Sequence, residues 1–493
     1  VRRLAGESAA LVAALVLAVS PAVIALNRGN ISDTLMILLV VLAADAASAA
    51  VLTASQGRLV LAGIWVGLAF QAKTMEAWLV LPALGIAYLV AAPGPLPRRV
   101  RHVAVGGVVA AVVSLLWVVV VTLVPASARP YVDGSQHNSL FEQVFLYNGF
   151  GRFGADNPLR VLGVQGMRLT DAEAPPGWDR LLTGELGRDV GWLLPLALVI
   201  AITGFLARRA RPRTDPLRAG YLLWGLWMLT LAAVFSVSSE IHAYYTAALA
   251  PVIAALCGLG VTQAWTSRDT ARVWVLIAVL VTGTAFYAGV MLRSSAPAPP
   301  GWLLPALAAV TVLAVALSLI CAARRPSART RLGALGVAGL AVLLVPTVAG
   351  ALLAAGGRGP FDTPFEPART AARIDEGFIT IPELIKQAVP ELEHMRAGAP
   401  DLLATQSAGV AGFFSYASGQ EVLPIGGFTG TMPFPTLDEL RRDIARGDFH
   451  LVLAISTRDP RLAWIAQHCE HLPRSMSPLE SYYCVPADAW LPG

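Results

Sequence analysis

Charge is scarce in this sequence. Only 14% of its 493 residues are Asp, Glu, Lys or Arg, while 56% are hydrophobic, and the mean hydropathy is +0.62. A soluble domain carries about 25% charged residues, so the deficit excludes a wholly water-exposed chain and makes lipid the main solvent. Lysine is nearly absent, occurring only at Lys73 and Lys386. The net charge of +5 therefore rests on arginine, in short clusters between apolar runs. No basic face interleaved with aromatics exists, which excludes a nucleic-acid partner. Metal-binding CxxC and HxxxH pairs are also missing, and the glycine-rich stretch Gly426 to Thr431 lacks the GxGxxG and P-loop patterns.

What is present is a set of long uncharged runs. A helix needs about 20 mainly apolar residues to cross a bilayer, and in lipid the backbone must pair within each segment. Candidate spans cover 8–26, 33–53, 57–72, 76–92, 103–124, 190–207, 217–236, 244–265, 272–292, 301–322 and 332–355. Arginines sit at every second junction: Arg2 and Arg3, Arg58, Arg98 to Arg101, Arg208 to Arg213, Arg268 and Arg272, and Arg324 to Arg331. With eleven spans all these fall on one side, which the positive-inside rule makes cytoplasmic. The expected fold is an α-helical polytopic membrane protein of about eleven transmembrane helices with a small α/β extracytoplasmic domain. Expected boundaries are a transmembrane domain at 1–355 with a long outer loop at 126–189, a Gly/Pro-rich linker at 356–380, and the α/β domain at 381–493. The plasma membrane is the expected location. The chain opens on Val1-Arg2-Arg3 with no visible signal peptide, which reads as the middle of a membrane protein and leads to the expectation of a longer natural chain.

The opposite side collects polar residues that membrane packing does not require. Lys73 lies between two apolar segments, against the positive-inside bias, either as a snorkelling lysine paired with Glu76 or as a binding charge. Asp33 opens a helix, where a carboxylate caps and complements the dipole. Arg28 stands beside Asn27 and Asn30, placed to grip a phosphate. Glu240, His242, Tyr244 and Tyr245 precede another span; the tyrosines suit an interfacial belt or a sugar hydroxyl. Glu240 and His242 also leave a divalent metal open, although two ligands do not make a site. The long loop holds Tyr147, Asn148 and Arg152, a mixture suited to a saccharide face. A lipid-linked phosphosugar fits this inventory, with its chain in the bilayer and its phosphate at the interface.

At these residues the sequence resembles a known family. Asn27 to Asp33, Gly67 to Trp78, Ser127-Ala128-Arg129-Pro130-Tyr131 onward to Arg152, Trp192-Leu193-Leu194-Pro195 and His242 to Pro251 run in the order found in membrane glycosyltransferases of the protein-mannosyltransferase and aminoarabinose-transferase superfamily. The likeness is strongest to the actinobacterial and Bacillus-type family 39 members. It implies a GT-C fold, a polyprenyl-phosphate sugar donor, and transfer on the outer face to a glycan, glycolipid or protein. It also implies thirteen spans and a catalytic acid ahead of the region corresponding to Val1, so that two helices and the main base are expected upstream. Within this chain, Asp33 and Glu76 are the candidate catalytic carboxylates. Arg28, Asn30, Lys73, Tyr147, Asn148, Arg152, Glu240, His242, Tyr244 and Tyr245 are the candidate donor-binding set. Where the family reads Lys-Met-Leu-Gln-Ala, this chain reads Lys73-Thr74-Met75-Glu76-Ala77, which adds a carboxylate.

In the carboxy-terminal region, strands are expected at 402–405, 421–425, 450–455 and 482–485, between helices at 381–397, 407–417, 436–446 and 460–468. Gly426 to Thr431 reads as a turn. Cys469 and Cys484 are expected to pair in an oxidising compartment. Two other classes of function stand beside the transferase: a transporter or flippase of polyprenyl-linked lipid, and a non-catalytic envelope scaffold. A transporter needs ionisable residues at mid-bilayer depth, and Asp45 is the one residue read as lying deep in a span.

Overall fold

The computed structural model describes residues 1–153, 175–239, 241–295, 298–366, 372, 375–473 and 479–487. The chain forms two compact units, one built from Val1–Trp117 and Ala172–Ala371, the other from Val118–Asp171 and Ala372–Gly493.

The first unit is helical. Its main elements are α1 (Glu7–Ala18), α2 (Pro21–Leu26), α3 (Asp33–Thr53), α4 (Gln56–Lys73), α5 (Leu81–Ala91) and α6 (Leu96–Leu123, which runs on into the second unit). There follow α7 (Gly184–Ala207), α8 (Pro216–Val237), α9 (Ala250–Thr266), α10 (Ala271–Arg293), α11 (Leu303–Arg324) and α12 (Ala328–Ala355). Nine helical segments among the described residues are long and apolar enough to cross a membrane. One of these, Gln56–Ala91, is folded back on itself. Leu59 at its start shares a buried cluster with Tyr88 and Ala91 at its end, so it makes two passes. The first expected span, 8–26, is broken by Ser20-Pro21 into α1 and α2, because proline lacks the N–H that would continue the ladder. Counting that broken span once gives eleven candidate passes among the described residues. The protein is therefore a multi-pass membrane protein.

The reversal between α4 and α5 has a local cause. Thr74 takes φ 47°, ending the α-helix, and residues Thr74–Val80 wind as a 3-10 turn before α5 begins at Leu81-Pro82. Close packing holds α4 in place. Gly63 and Gly67 form a small-xxx-small face, and a Cβ at either would lie 2.4 Å from Gly106 O or Val113 Cβ of α6. Small residues let two membrane helices approach this closely, so that dispersion can hold them together where lipid offers no hydrophobic drive.

In the second unit, α13 (Ile381–Arg396) precedes a five-stranded sheet. Its strands are β1 (Leu403–Gln406), β2 (Val422–Ile425), β3 (Leu451–Ala454), β4 (Glu470–His471) and β5 (Glu480–Tyr483), in the order β2-β1-β3-β5-β4. β1 runs parallel to β2 and β3, while β3–β5 and β5–β4 are antiparallel. The helices α14 (Ala408–Ser418), α15 (Leu437–Arg446) and α16 (Pro460–His468) connect the strands. Two cores cover the sheet, one around Phe449, Leu462 and Ile465, the other around Leu392, Leu402 and Phe414. Thr436 and Glu439 close a capping box at the start of α15. A disulfide joins Cys469 to Cys484. The expected strands and helices are found within a residue or two; the sequence reading did not find β4, only two residues long.

Part of the long loop belongs to this second unit. The Tyr131 ring stacks on Phe434 with centroids 4.8 Å apart. Both Asp133 carboxylate oxygens accept from the Phe428 backbone N–H at 3.1 Å. This contact explains the glycines there. A Cβ on Gly427 would meet Asp133 Oδ1 at 2.2 Å, and its φ is +64°, so only glycine lets the carboxylate reach the turn.

Candidate functional site

The site is assembled at the end of the helical unit opposite Arg58. Asp33 is the first residue of α3 and is 1% exposed, where the helix dipole favours its negative charge. Lys73 is the last residue of α4. Its ammonium bonds Asp33 Oδ1 and lies 2.9 Å from Glu76 Oε2. The chain reversal at Thr74 brings Glu76 back beside Lys73. Two braces hold the reversal: Gln71 Nε2 donates to the carbonyls of Val113 and Ser114 at 2.8 and 3.0 Å, and Trp78 Nε1 donates to Ser114 Oγ at 3.0 Å.

Aromatic rings form the remaining wall. The Lys73 ammonium lies 3.8 Å from the Tyr245 ring centroid and 5.1 Å from that of Tyr244, a cation–π geometry. His242 stacks on Tyr244 and meets Tyr245 edge-on, at 5.5 and 5.3 Å. The two tyrosines and Ala243–Leu249 belong to a 3-10 turn that leads into α9. Thr246 of that turn donates to the buried carboxylate of Asp189.

The loop before Asp33 is tied to the segment after α12. Arg28 Nε donates to the Arg358 carbonyl at 2.9 Å. Gly29 lies so close to Pro360 that a Cβ would be 2.2 Å from its Cγ. Asp362 pairs with Arg358 at 3.3 Å and accepts from the Gly359 N–H at 2.7 Å. Phe361 meets Tyr244 edge-on at 5.5 Å. Asp362, Thr363 and Glu366 are buried. Residues 358–366, read from sequence as part of a linker, are thus packed.

The structure brings Asp33, Lys73, Glu76, Tyr244 and Tyr245 together, with His242 behind the tyrosines. Arg28 and Asn30 are exposed on the preceding loop, Arg28 turned to the Arg358 carbonyl. Tyr147, Asn148 and Arg152 belong to the other compact unit; there the Tyr147 ring packs on Gly134 and Arg152 donates to Asn148 at 3.2 Å. Glu240 lies outside the described residues. Among the described residues no group of three or more His, Cys, Asp or Glu side chains is placed to hold a metal. Asp45, read from sequence as deep in a span, lies in the middle of α3. It is half-exposed and makes a bidentate pair with Arg3 at 2.8 Å.

Sequence reasoning missed a buried charged group around the head of α7. Arg188 and Asp189 are 6% and 1% exposed, and Arg180, 2% exposed, donates to the carbonyls of Phe235 (3.0 Å) and Ser238. The signal was the charged run Glu185-Leu186-Gly187-Arg188-Asp189 placed directly against an apolar span.

The site is thus a buried ammonium between two carboxylates, walled by tyrosines, at the end of the helical bundle. Residues 1–118 match the family model "Dolichyl-phosphate-mannose-protein mannosyltransferase" and residues 389–468 match "Putative mannosyltransferase YkcB-like, C-terminal". The proteins "Putative mannosyltransferase YkcB" and "Putative mannosyltransferase YycA" of Bacillus subtilis (strain 168) are each 26% identical to this chain. The alignments cover 91% and 90% of the chain and 74% and 75% of those proteins. Among solved structures, ArnT from Cupriavidus metallidurans is 16% identical, with TM-scores of 0.49 in the apo state and 0.47 bound to undecaprenyl phosphate. The two superpositions cover 99% and 100% of this chain and 80% and 81% of that one. The chain is similar, in its amino-terminal membrane region and in its carboxy-terminal domain alike, to proteins described as mannosyltransferases.

Proposed function

We propose that this protein transfers one sugar from a polyprenyl-phosphate-linked donor to an extracytoplasmic acceptor, a glycan, a glycolipid or a protein. The observation that carries the reading is the Asp33–Lys73–Glu76 cluster, which falls inside the region matching the mannosyltransferase model and faces two tyrosines. In the reaction, the acceptor oxygen forms a bond to the anomeric carbon as the bond from that carbon to the phosphate oxygen breaks. The electron pair leaves with the lipid phosphate, and the acceptor proton passes to a carboxylate. Lys73 stabilises the phosphate as its charge grows; Asp33 or Glu76 is the proton acceptor within this chain. Tyr244, Tyr245 and His242 offer rings and polar tips to the sugar. Tyr147, Asn148 and Arg152 are assigned to the acceptor or the sugar, and Glu240 to a sugar hydroxyl.

The alternating arginine clusters support a site that opens away from the cytoplasm. A soluble nucleotide sugar stays in the cytoplasm, which is why a lipid-linked donor is assigned. The test is incubation of membranes carrying the protein with radiolabelled polyprenyl-phosphate sugars, followed by fractionation of envelope glycans, lipids and proteins. Label entering one fraction, and lost with Lys73→Met, is the expected result. Absence of transfer with every donor sugar would overturn the proposal.

A further inference from the structure

The Lys73 cluster carries more negative than positive charge. One ammonium faces two carboxylates, and these are among the least exposed ionisable side chains of the helical unit, at 17% for Lys73, 2% for Asp33 and 13% for Glu76. Asp33 Oδ2 and Glu76 Oε1 are each buried without a hydrogen-bond partner. Among the described residues no other cation is paired with them. Arg28 is turned to the Arg358 carbonyl and Arg358 to Asp362. From the 3-10 turn before α9 come two tyrosine rings, with His242 stacked behind them; Asn27 is held by Thr34.

This geometry sets a condition on binding an anion. With both carboxylates ionised the cluster totals −1, and a phosphodiester would raise it to −2 in a poorly solvated place. Two carboxylates that share a buried site do not both stay ionised when a further negative charge arrives. We propose that the Asp33–Glu76 pair holds a proton whenever Lys73 turns to the donor phosphate, so that donor binding is proton-linked and Glu76 is the positioning residue that creates the linkage. This rests on the reading that Lys73 receives the donor phosphate. Retaining one proton on the pair keeps the occupied cluster at −1. It frees the ammonium from one carboxylate and gives the buried oxygens a hydrogen to share. The sign follows directly: affinity is greatest at low pH and falls as pH rises through the pair's titration, by up to about tenfold per pH unit for one proton. With glutamine at position 76 the empty cluster is neutral, the occupied cluster is −1 without any proton, and the dependence disappears.

The experiment measures binding of a citronellyl methyl phosphodiester, a short-chain probe that remains a monoanion between pH 5.5 and 9, to the purified protein in detergent. Wild type should lose affinity at least tenfold across that range. Glu76→Gln should vary by less than threefold and bind more tightly than wild type at pH 9. Asp33→Asn should flatten the profile in the same way, which guards against a defect peculiar to one variant. Wild-type slopes retained in both variants would overturn the proton linkage. A Lys73→Met variant that binds the probe as wild type does would instead overturn the assignment of Lys73 to the phosphate, a distinct outcome. Melting curves of each variant show that the binding-competent fold is present.

Discussion

Replacing Lys73 by methionine removes the one cation between two buried carboxylates, and its cost can be worked from their surroundings. Asp33 is almost fully enclosed and Glu76 nearly so. Removing one partner of a buried ion pair costs about 3–5 kcal/mol, because the remaining charge stays desolvated and unpaired. Here two carboxylates remain, and one relieves the repulsion by protonating, which places the effect at about 3 kcal/mol near neutral pH. The assay is the apparent melting temperature in detergent at pH 7.5 and at pH 5.5. Lys73→Met should melt at least about 5 °C below wild type at pH 7.5 and recover part of that at pH 5.5, where protonation is easier. Adding Glu76→Gln should recover more than half of the loss, since a single carboxylate at a helix N-terminus then remains. A Lys73→Met protein melting within about 1 °C of wild type at pH 7.5 would refute the reasoning, and would make Lys73 a snorkelling residue.

Three further outcomes are expected. Asp133→Ala leaves the Phe428 N–H of the second unit without its carboxylate, at a cost of about 1–3 kcal/mol, and should raise protease cleavage between 126 and 153 several-fold without altering the melting of the helical unit. Replacing both Cys469 and Cys484 by serine opens a loop of 15 residues and should cost about 3 kcal/mol, read as an equal loss of stability in the wild type on reduction. Burial, with Asp362 and Glu185 nearby, pushes the Glu366 carboxyl up from 4.5 to about 8. The stability this proton uptake contributes is fully present below about pH 4.5 and is lost as pH rises through about 8. Melting temperature should fall across that window, and Glu366→Gln should flatten the curve.

Much of this architecture was legible because the bilayer enforces simple patterns. Runs without charge marked the helices, and the small α/β sheet announced itself through alternating strands, helices and turns. Lys73 stood out because a lysine opposite the arginine side needs a reason. What the sequence did not show was its partner at a distance: Asp33 lies 40 residues away, and nothing in a helix-opening aspartate reveals that a second helix ends beside it. The pairing of Lys73 with Glu76 could be read from their spacing, but not that Asp33 holds the same ammonium. For Asp45, its place within an apolar run says nothing of the Arg3 that meets it. The buried charges Arg188 and Asp189 were overlooked because they adjoin a span instead of interrupting it. Asp133 and Tyr131 carried no local sign of docking on Phe428 and Phe434, since that contact joins segments nearly 300 residues apart.

The close approach of Gly29 to Pro360 has a consequence for how this protein can vary. With no room for even a methyl group there, and with Arg28 gripping the Arg358 carbonyl, the loop that introduces Asp33 and the stretch leaving α12 behave mechanically as one splint. An insertion or a bulkier residue on either side is therefore not a local event. It is inherited as a shift in the carboxylate that opens α3, so the register of this splint is a coordinate along which relatives of the protein would be able to retune the Lys73 cluster without changing any residue within it.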